Sequence, residues 1–372
     1  MIKIGITGQN GFVGSHLYNS LELYPDEFER VDFQKDFFEN GDSLDTFVSQ
    51  CDVIIHLAAM NRHENAEVIY KTNIGLVSKL IASLNRTNSK PHLIMSSSSQ
   101  EERDNLYGKS KKEGRQALVH WAKEANATFT GMIIPNVFGP FGRPYYNSVV
   151  ATFSHQIANG ETPEIQVDGN LNLIYVGELV DEILKAIRER KNEEQYVVPH
   201  TAKAKVSQIL QLLQNYKSEY QDKGEIPEIN NNFELNLFNT YRCYMDILNH
   251  FPVKFQQHTD PRGSFVEVVR LGVGGQVSFS TTVPGITRGN HFHTRKIERF
   301  AVIKGKALIQ LRKIGTNEVL DFYLDGNEPA YVDMPIWYTH NIKNIGEEVL
   351  YTNFWINEAY DPDDADTYFE NV

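Results

Sequence analysis

The chain has 372 residues, of which 41% are hydrophobic and 23% charged, and its formal net charge is −12. This length favours two domains over one, and the acidic balance argues against nucleic-acid binding, which requires a basic face. No apolar run approaches the ~20 residues that a membrane-spanning helix needs, and no signal-peptide pattern precedes the first strand. The two cysteines lack the spacing of a metal or redox site. We therefore expect a cytoplasmic protein that does not bind membranes.

The first half of the chain alternates short apolar runs with amphipathic segments. The apolar runs predict strands at residues 2–7, 29–33, 53–58, 92–96 and 129–134. Apolar residues at helical spacing predict helices at residues 12–23, 72–86, 110–125, 149–159, 176–190 and 206–216. This alternation indicates an α/β fold with a Rossmann-type, doubly wound parallel sheet.

A glycine-rich run follows the first predicted strand and opens the first predicted helix. Gly8, Gly11 and Gly14 stand in the pattern GxxGxxG. Glycines at such a turn let backbone N–H groups approach a pyrophosphate at a helix N-terminus. Because the run comes so early in the chain, directly after a strand, it predicts a dinucleotide site.

A tyrosine and a lysine four residues apart suggest a catalytic pair. One helical turn places the ammonium of Lys111 beside the phenol of Tyr107, where its charge can lower the pKa of the phenol. Such a pair suits a proton donor to a ketone oxygen. The serine tract 96–99 follows a predicted strand, and a hydroxyl from it could orient the same ketone. An exposed tyrosine and a serine-rich loop are the alternatives.

Together these signals resemble the extended short-chain dehydrogenases/reductases that act on nucleotide sugars. The matching motifs are TGxxGxxG at 7–14, HLAA at 56–59, the serine tract, YGxSK at 107–111 and NVFGP at 136–140. The resemblance implies that Tyr107, Lys111 and Ser98 are catalytic. It implies cofactor contacts, which we expect from Thr7, Gly8, Gly11, Phe12, Val13, Gly14, Leu57, Ala58, Ala59, Tyr107 and Lys111. It implies sugar and nucleotide contacts from Asn136 and Asn147, with Arg143 at the diphosphate.

The cofactor itself is left open between NADPH and NADH. Asp32 follows the second predicted strand, where a carboxylate can bind the adenosine ribose 2′-OH and so favour NAD. Arg30 and Lys35 are the nearby basic residues that an NADP phosphate would use. Asp32 could equally be a turn residue.

The pattern changes in the last third of the chain. From residue 253 onward, short β-rich runs alternate with turns rich in Gly, Pro and Asn, which predicts an all-β barrel. We therefore predict two domains, residues 1–245 and 246–372.

A histidine-rich motif lies in the predicted barrel. Gly285, His291, His293, Glu298 and Gly305 fit G-x5-H-x-H-x4-E-x6-G. Histidines at strand period two lie on one face, and His340 supplies a third imidazole from a later segment. Three imidazoles and a carboxylate are ligands for zinc or another divalent metal.

These motifs resemble the cupin fold, a jelly-roll barrel, although Trp337 replaces the usual glycine of the second cupin motif. Residues 260–267 and 285–292 further resemble the keto-sugar 3,5-epimerases of rhamnose synthesis, which implies that Arg262 and Arg288 line the pocket and that Arg288 binds a diphosphate. That resemblance makes His291 the catalytic base, whereas the cupin motif makes it a metal ligand. A metal-bound imidazole cannot accept the substrate proton, so both roles stay open, and so does a metal-free cupin.

The whole chain resembles bifunctional enzymes of capsular polysaccharide synthesis that fuse a reductase to a cupin. This implies a UDP-linked 4-keto-6-deoxy-N-acetylhexosamine as substrate, epimerisation at C3 by the cupin, then reduction at C4 with NADPH. The product would be a UDP-N-acetyl-L-talosamine-type 6-deoxy sugar, a precursor of N-acetyl-L-fucosamine in surface polysaccharide. A homodimer is implied by resemblance alone. The alternatives are a plain ketoreductase with a binding or dimerisation module, and a dehydratase or 4-epimerase that uses Glu101 and Glu102.

Overall fold

The structure is a computed structural model that describes residues 1–255, 257–260, 263–266, 268, 275–358 and 361–372, with the backbone alone for 257–260 and 263–266. The chain divides into two compact units. The first contains Met1–Thr152 and Val167–Val206, and the second contains Phe153–Gln166 and Ser207–Val372. The predicted domain boundary at 245 lies inside the second unit, as does the helical segment 207–250.

The first half of the chain alternates strands and helices. The strands are β1 (Ile2–Thr7), β2 (Phe28–Val31), β3 (Val53–His56), β4 (His92–Ser98), β5 (Phe129–Ile134), β6 (Asn136–Phe138), β7 (Asn170–Tyr175), β8 (Glu193–Val197) and β9 (Ala202–Lys205). The helices are α1 (Phe12–Leu21), α2 (Gly41–Gln50), α3 (Ala66–Thr87), α4 (Leu106–Ala125), α5 (Val149–Ala158) and α6 (Val176–Arg188). Helix α2 falls where the sequence predicted no element.

The main sheet of the first unit is parallel throughout. Its six strands lie in the order β2-β1-β3-β4-β5-β8, and the apolar strands are buried on both faces. Leu17 of α1 and Ile183 of α6 belong to one hydrophobic cluster, while Phe47, Leu80 and Leu118 of α2 to α4 belong to another. This confirms the predicted doubly wound sheet. The strand order reverses between β1 and β3, and ligands of such sheets bind outside the carboxyl ends of the strands at this reversal.

The second unit begins with helices and continues with strands. The helices are α7 (Val206–Tyr216), a π-helical turn (Lys217–Gln221), α8 (Asn232–Arg242) and α9 (Ile247–His250). The strands are β10 (Val253–Lys254), β11 (Gln257–Asp260), β12 (Gly263–Val266), β13 (Gln276–Thr282), β14 (Thr287–Phe292), β15 (Glu298–Lys304), β16 (Lys306–Lys313), β17 (Val319–Asp325), β18 (Ala330–Met334), β19 (Tyr338–Asn344), β20 (Leu350–Ile356) and β21 (Tyr368–Phe369).

Two antiparallel five-stranded sheets make up most of this unit. Their strand orders are β10-β18-β15-β20-β13 and β17-β16-β19-β14-β21, and β11 pairs with β12. Val302 and Val332 of one sheet share a hydrophobic cluster with Ile309, Leu311 and Ile342 of the other. The two sheets therefore enclose one core, as the all-β prediction required.

Within the described ranges, no helix combines the length and the apolar character that crossing a membrane requires.

A buried ion pair joins the helical segment of the second unit to its strands. Arg299 donates to both carboxylate oxygens of Asp333 at 2.9 and 3.1 Å, and the two side chains are 2% and 1% exposed. From the segment after α7, Tyr220 donates to the same carboxylate, and Gly224 accepts from the guanidinium at 2.8 Å. Every charged atom thus has a partner, which a buried pair requires to be tolerated.

We expect Asp333→Ala to destabilise the second unit by about 3–5 kcal/mol, because it leaves the Arg299 guanidinium buried without its counter-charge. Urea unfolding of the whole chain, followed by tryptophan fluorescence, measures this loss. The control is Glu328→Gln, which breaks an exposed pair with Lys254 and should cost less than about 1 kcal/mol. Equal midpoints for the two variants would contradict the structural role of the buried pair.

Candidate functional site

A cleft of about 810 Å³ opens in the first unit at the strand reversal. Gly8, which follows β1, and Leu57, which follows β3, both line it. Of the residues expected at the cofactor, catalytic or sugar positions, the lining includes Gly8, Gly11, Phe12, Val13, Gly14, Leu57, Ala58, Ala59, Ser98, Tyr107, Lys111, Asn136, Arg143 and Asn147. The fold therefore brings most of the predicted residues of this unit to one cavity.

The glycine-rich turn has the shape that a dinucleotide needs. Gly8 has a φ of +82°, a conformation that favours glycine. A Cβ at Gly14 would lie 2.1 Å from the carbonyl oxygen of Gly8, so only glycine fits there. Gly11 is the N-cap of α1, whose first turn carries backbone N–H groups without helical partners. The residues thus fit a nucleotide pyrophosphate at this helix end.

Tyr107, Ser98 and Lys111 all line the cleft. Tyr107 lies in the first turn of α4, and its phenol forms a hydrogen bond with the side chain of Ser98. Lys111 is buried and donates to the Ser96 carbonyl oxygen at 2.9 Å. Among the four serines, the contact to Tyr107 therefore distinguishes Ser98.

The electrostatics of the pair differ from our expectation. Burial raises the pKa of Tyr107 to about 12, and the hydrogen bond from Ser98 acts in the opposite direction. The expected lowering of this pKa by Lys111 is wrong for this structure, in which the ammonium is directed to Ser96. Burial lowers the pKa of Lys111 to about 8, while the Glu101 carboxylate raises it. At neutral pH the phenol keeps its proton and can act as a donor.

Glu101 belongs to a buried hydrogen-bond network with Arg115 and Ser97. Arg115 donates to its two carboxylate oxygens at 2.9 and 2.7 Å, the two side chains are 3% and 4% exposed, and Ser97 donates to the same carboxylate. Glu102 is exposed. Glu101 is not among the described residues that line the cleft, and its carboxylate oxygens already accept from Arg115 and Ser97, which argues against the dehydratase alternative.

Two residues that we expected to contact the cofactor, Thr7 and Asp32, are not among the described residues that line the cleft. Thr7 is fully buried, and its hydroxyl lies 2.8 Å from Nδ1 of His56 beneath the glycine-rich turn. Asp32 is exposed and accepts a 2.5 Å hydrogen bond from Tyr18. The guanidinium of Arg30 lies over the Tyr18 ring at 4.4 Å from its centroid, so one phenol contacts both a carboxylate and a cation.

The outer part of the cleft contains residues that the motifs did not indicate. Tyr146 lines the cavity and accepts a 3.2 Å hydrogen bond from the Asn61 backbone N–H. Arg143 lies over the Tyr146 ring at 5.4 Å. Asn136 donates to the Asn172 carbonyl oxygen at 3.2 Å. Proximity in sequence to Asn147 was the one signal that could have indicated Tyr146.

The second unit brings the four predicted metal ligands together. One ligand atom from each of His291, His293, Glu298 and His340 lies within 4.8 Å of the other three. Oε2 of Glu298 lies 2.9 Å from Nε2 of His293 and 3.2 Å from Nε2 of His340. These three buried atoms have no hydrogen-bond partner of acceptable geometry within the described part of the chain. A divalent metal would satisfy all of them, and zinc accepts this donor set.

Burial and mutual contacts set the charges in this cluster. Burial alone would raise the pKa of Glu298, but contacts with His293 and His340 outweigh it and the pKa is lowered. Burial also opposes charge on His293, yet Glu298 outweighs it and raises the pKa of this imidazole. Burial and the neighbouring histidines lower the pKa of His291 to about 4. His291 is therefore neutral at physiological pH, the form in which it can be a ligand or a base.

A β-bulge positions the first histidine. Gly289 pairs with Asn341 and His291 with His340, so Asn290 is an extra residue in β14. Asn290 has a φ of +60°. Since Arg288 pairs with Ile342, two residues from His340, the bulge puts Arg288 on the same face of the sheet as His291. The Arg288 side chain is exposed and donates to the Thr281 carbonyl oxygen at 3.3 Å. Arg262 lies outside the described residues.

Trp337 stands at the position where the motif usually has glycine. Its φ is +60°, a left-handed conformation that glycine adopts at lower cost. Its ring stacks on Phe292 with the ring centroids 5.3 Å apart, and its backbone N–H donates to the His293 carbonyl oxygen at 2.9 Å. Packing thus maintains the turn that glycine would otherwise form, and the departure from the motif leaves His340 in place.

Models of two known protein families match the two halves of the chain. The model of the NAD dependent epimerase/dehydratase family matches residues 4–198, and that of the polysaccharide biosynthesis C-terminal domain matches residues 258–368. The UDP-2-acetamido-2,6-beta-L-arabino-hexul-4-ose reductase of Pseudomonas aeruginosa is 31% identical over 371 residues, which cover 99% of this chain and 98% of the relative.

Solved structures of a capsular polysaccharide assembling protein extend over the whole chain. CapF of Staphylococcus aureus is 35% identical with a TM-score of 0.64, and the match covers 100% of both chains. A structure of CapF with the inhibitor 3-isopropenyl-tropolone is 32% identical with a TM-score of 0.60, again over 100% of both chains. These matches confirm the predicted resemblance to enzymes of capsular polysaccharide synthesis, of which CapF is one. The chain is an enzyme related to nucleotide-sugar reductases, and it belongs to the NAD dependent epimerase/dehydratase family.

Proposed function

We propose that the chain is a bifunctional nucleotide-sugar enzyme. Its second unit, which we take to be a cupin, epimerises C3 of a UDP-2-acetamido-2,6-dideoxy-4-hexulose. Its first unit then reduces the C4 ketone with NADPH, or with NADH, to a UDP-N-acetyl-L-talosamine-type 6-deoxy sugar. The observation that carries this proposal is that one chain has both the Tyr107 cleft and the buried histidine–glutamate cluster.

The order of the two steps follows from the chemistry of the ketone. The hydrogen at C3 is acidic only while C4 is a carbonyl, because the carbanion is then an enolate. Removal of this proton and its return on the opposite face invert C3 without any net change in composition. Reduction at C4 removes the carbonyl and fixes the new configuration, so the epimerase must act first. The hexul-4-ose in the name of the Pseudomonas relative is a ketone of this class.

In the first unit, residues of the chain itself donate the proton that the reduced ketone oxygen requires. A reduced nicotinamide, when bound, supplies the hydride to C4. The Ser98 hydroxyl orients the ketone oxygen, and Tyr107, protonated at neutral pH, donates its proton to that oxygen. The buried ammonium of Lys111, which donates to the Ser96 carbonyl oxygen, supplies positive charge in the same cleft. Asn136, Asn147 and Arg143 bind the sugar and the diphosphate at the outer end of the cleft.

In the second unit, His291, His293, Glu298 and His340 would hold a divalent metal, for which we favour zinc. A bound cation supplies positive charge that stabilises an enolate oxygen. Arg288, on the face of His291, binds the diphosphate and so orients C3 toward the cluster. Tropolones chelate divalent cations, so the tropolone inhibitor of CapF agrees with a metal in that relative. We assign His291 to the metal because its ring lies 4.6 Å from that of His340 and 5.1 Å from that of His293. A homodimer and a cytoplasmic location stay predictions.

The proposal predicts C3 exchange without reduction. In D₂O without a nicotinamide, the UDP-4-keto-6-deoxy-N-acetylhexosamine should incorporate deuterium at C3, as measured by NMR, and adding NADPH or NADH should give the reduced sugar. Tyr107→Phe should keep the exchange and lose the reduction, while His291→Ala should do the reverse with a ketone that is already epimerised. Reduction without exchange would instead indicate a plain ketoreductase with an accessory module.

The reductase should depend on pH through Lys111. Its charged form prevails below its pKa of about 8, so we expect kcat for NADPH oxidation to fall as pH rises through that value. Tyr107→Phe should lower kcat by about 10²–10⁴-fold, the range typical of a lost general acid. Lys111→Met should lower kcat and also abolish the decrease at high pH. A Lys111→Met profile with the wild-type decrease would assign this titration to another group.

The metal proposal predicts the metal content of the purified chain. We expect about one divalent ion per chain by elemental analysis, and near zero for Glu298→Gln and His340→Ala, because each removes one of a small set of ligands. His120→Ala, at an exposed position, is the control and should keep its metal. If His291→Ala keeps the metal but loses C3 exchange, His291 is the base and not a ligand.

A further inference from the structure

The C-terminal segment, residues 364–372, lies against the metal-ligand cluster. Its strand β21 pairs with β14, with Phe369 opposite His291 and Tyr368 opposite Phe292. The Tyr368 ring stacks on Phe292 at 5.4 Å. Beyond β21, the Glu370 N–H donates to the Asn290 carbonyl oxygen at 3.0 Å, at the bulge. The segment thus pairs with the strand that carries His291 and that directly precedes His293.

Asp366 attaches this segment to the turn between β14 and β15. Its carboxylate accepts from the backbone N–H groups of Thr294, Arg295 and Lys296 at 3.1, 3.0 and 3.2 Å, and from the Thr294 hydroxyl at 2.6 Å. The ammonium of Lys296, which is 2% exposed, donates to the Ala365 carbonyl oxygen at 2.7 Å. Asp366 is itself only 5% exposed. These contacts form a buried, specific attachment.

The same attachment fixes one metal ligand. The Asp366 carbonyl oxygen lies 2.5 Å from Nδ1 of His293. A carbonyl can only accept, so Nδ1 carries a hydrogen, and Nε2, on the side of Glu298 and His340, is the ring nitrogen left to bind a metal. His340 and His291 have backbone partners two residues away, at Tyr338 and Gly289. His293 instead depends on a residue 73 positions further along the chain.

We propose that the C-terminal segment is a positioning element of the metal site, with Asp366 holding His293 in its ligating tautomer and orientation. This inference rests on the proposed metal site. Docking of the segment then strengthens metal binding, and by reciprocity metal binding strengthens docking of the segment. Outer partners of ligating histidines typically change metal affinity by 10–100-fold when removed.

The first test compares two substitutions in the same acidic run. Asp366→Asn replaces one acceptor oxygen by a donor facing backbone N–H groups, whereas Asp363→Asn changes an exposed side chain. Zn²⁺ affinity of the full chain is measured by competition with a chromophoric chelator. We expect Asp366→Asn to bind Zn²⁺ about 10–100-fold more weakly than wild type, and Asp363→Asn to match wild type. Equal affinities for the two variants would overturn the proposal.

The second test needs no substitution, so it holds even if Asp366→Asn does not fold. Amide hydrogen exchange of residues 364–372 is measured by mass spectrometry in the wild-type chain with Zn²⁺ and with chelator. We expect slower exchange in the segment and at residues 294–296 when Zn²⁺ is present. Identical exchange in a chain that binds Zn²⁺ would refute the coupling. If the wild-type chain binds no Zn²⁺ at all, the proposed metal site itself is wrong. This outcome is distinguishable from a failure of the coupling between the segment and the metal.

Discussion

The Glu298 carboxylate, buried between the imidazoles of His293 and His340, is the constraint on which the second unit depends. An ionised carboxylate away from water is costly unless opposite charge and donors surround it. Here Glu298, the first residue of β15, lies between His293, which directly follows β14, and His340 of β19. The bulge in β14 and the left-handed turn at Trp337 both place an imidazole around this one oxygen. Much of the irregular backbone near the site thus has a common cause.

The first unit also contains a buried charged group, the ammonium of Lys111, but stabilises it with different partners. The ammonium of Lys111 is buried beneath the cleft, and its environment includes the Ser96 carbonyl oxygen and the negative charge of Glu101. Glu101 is in turn held by Arg115. Charged groups are therefore fixed before any ligand arrives, and such fixed groups stabilise developing charge better than water does, because they need not reorient. In both units, the candidate site contains charged and polar groups that the folded chain already holds in position.

Local spacing accounts for what the sequence could predict. Tyr107 and Lys111 share one helical turn, His291 and His293 are two residues apart, and the glycine-rich turn follows a strand directly, so each pattern is visible within a few residues. The unpredicted features join distant segments. Tyr220 meets Asp333, and Asp366 meets His293, through pairings that only the folded sheets create. The register of Ser98 within its tract also required the fold, because four identical residues differ only in what they face.

The single extra residue in β14 changes how this stretch of sequence must be compared with others. Counted along the chain, Arg288 and His291 are three apart, and simple strand alternation would assign them to opposite faces. Counted along the partner strand they are two apart, and they share a face. Deleting Asn290 would therefore restore simple alternation and leave the arginine and the histidine on one face, whereas deleting Gly289 as well would turn the arginine away. Alignments of this segment should therefore tolerate a one-residue gap at position 290, because that gap does not change which face Arg288 and His291 occupy.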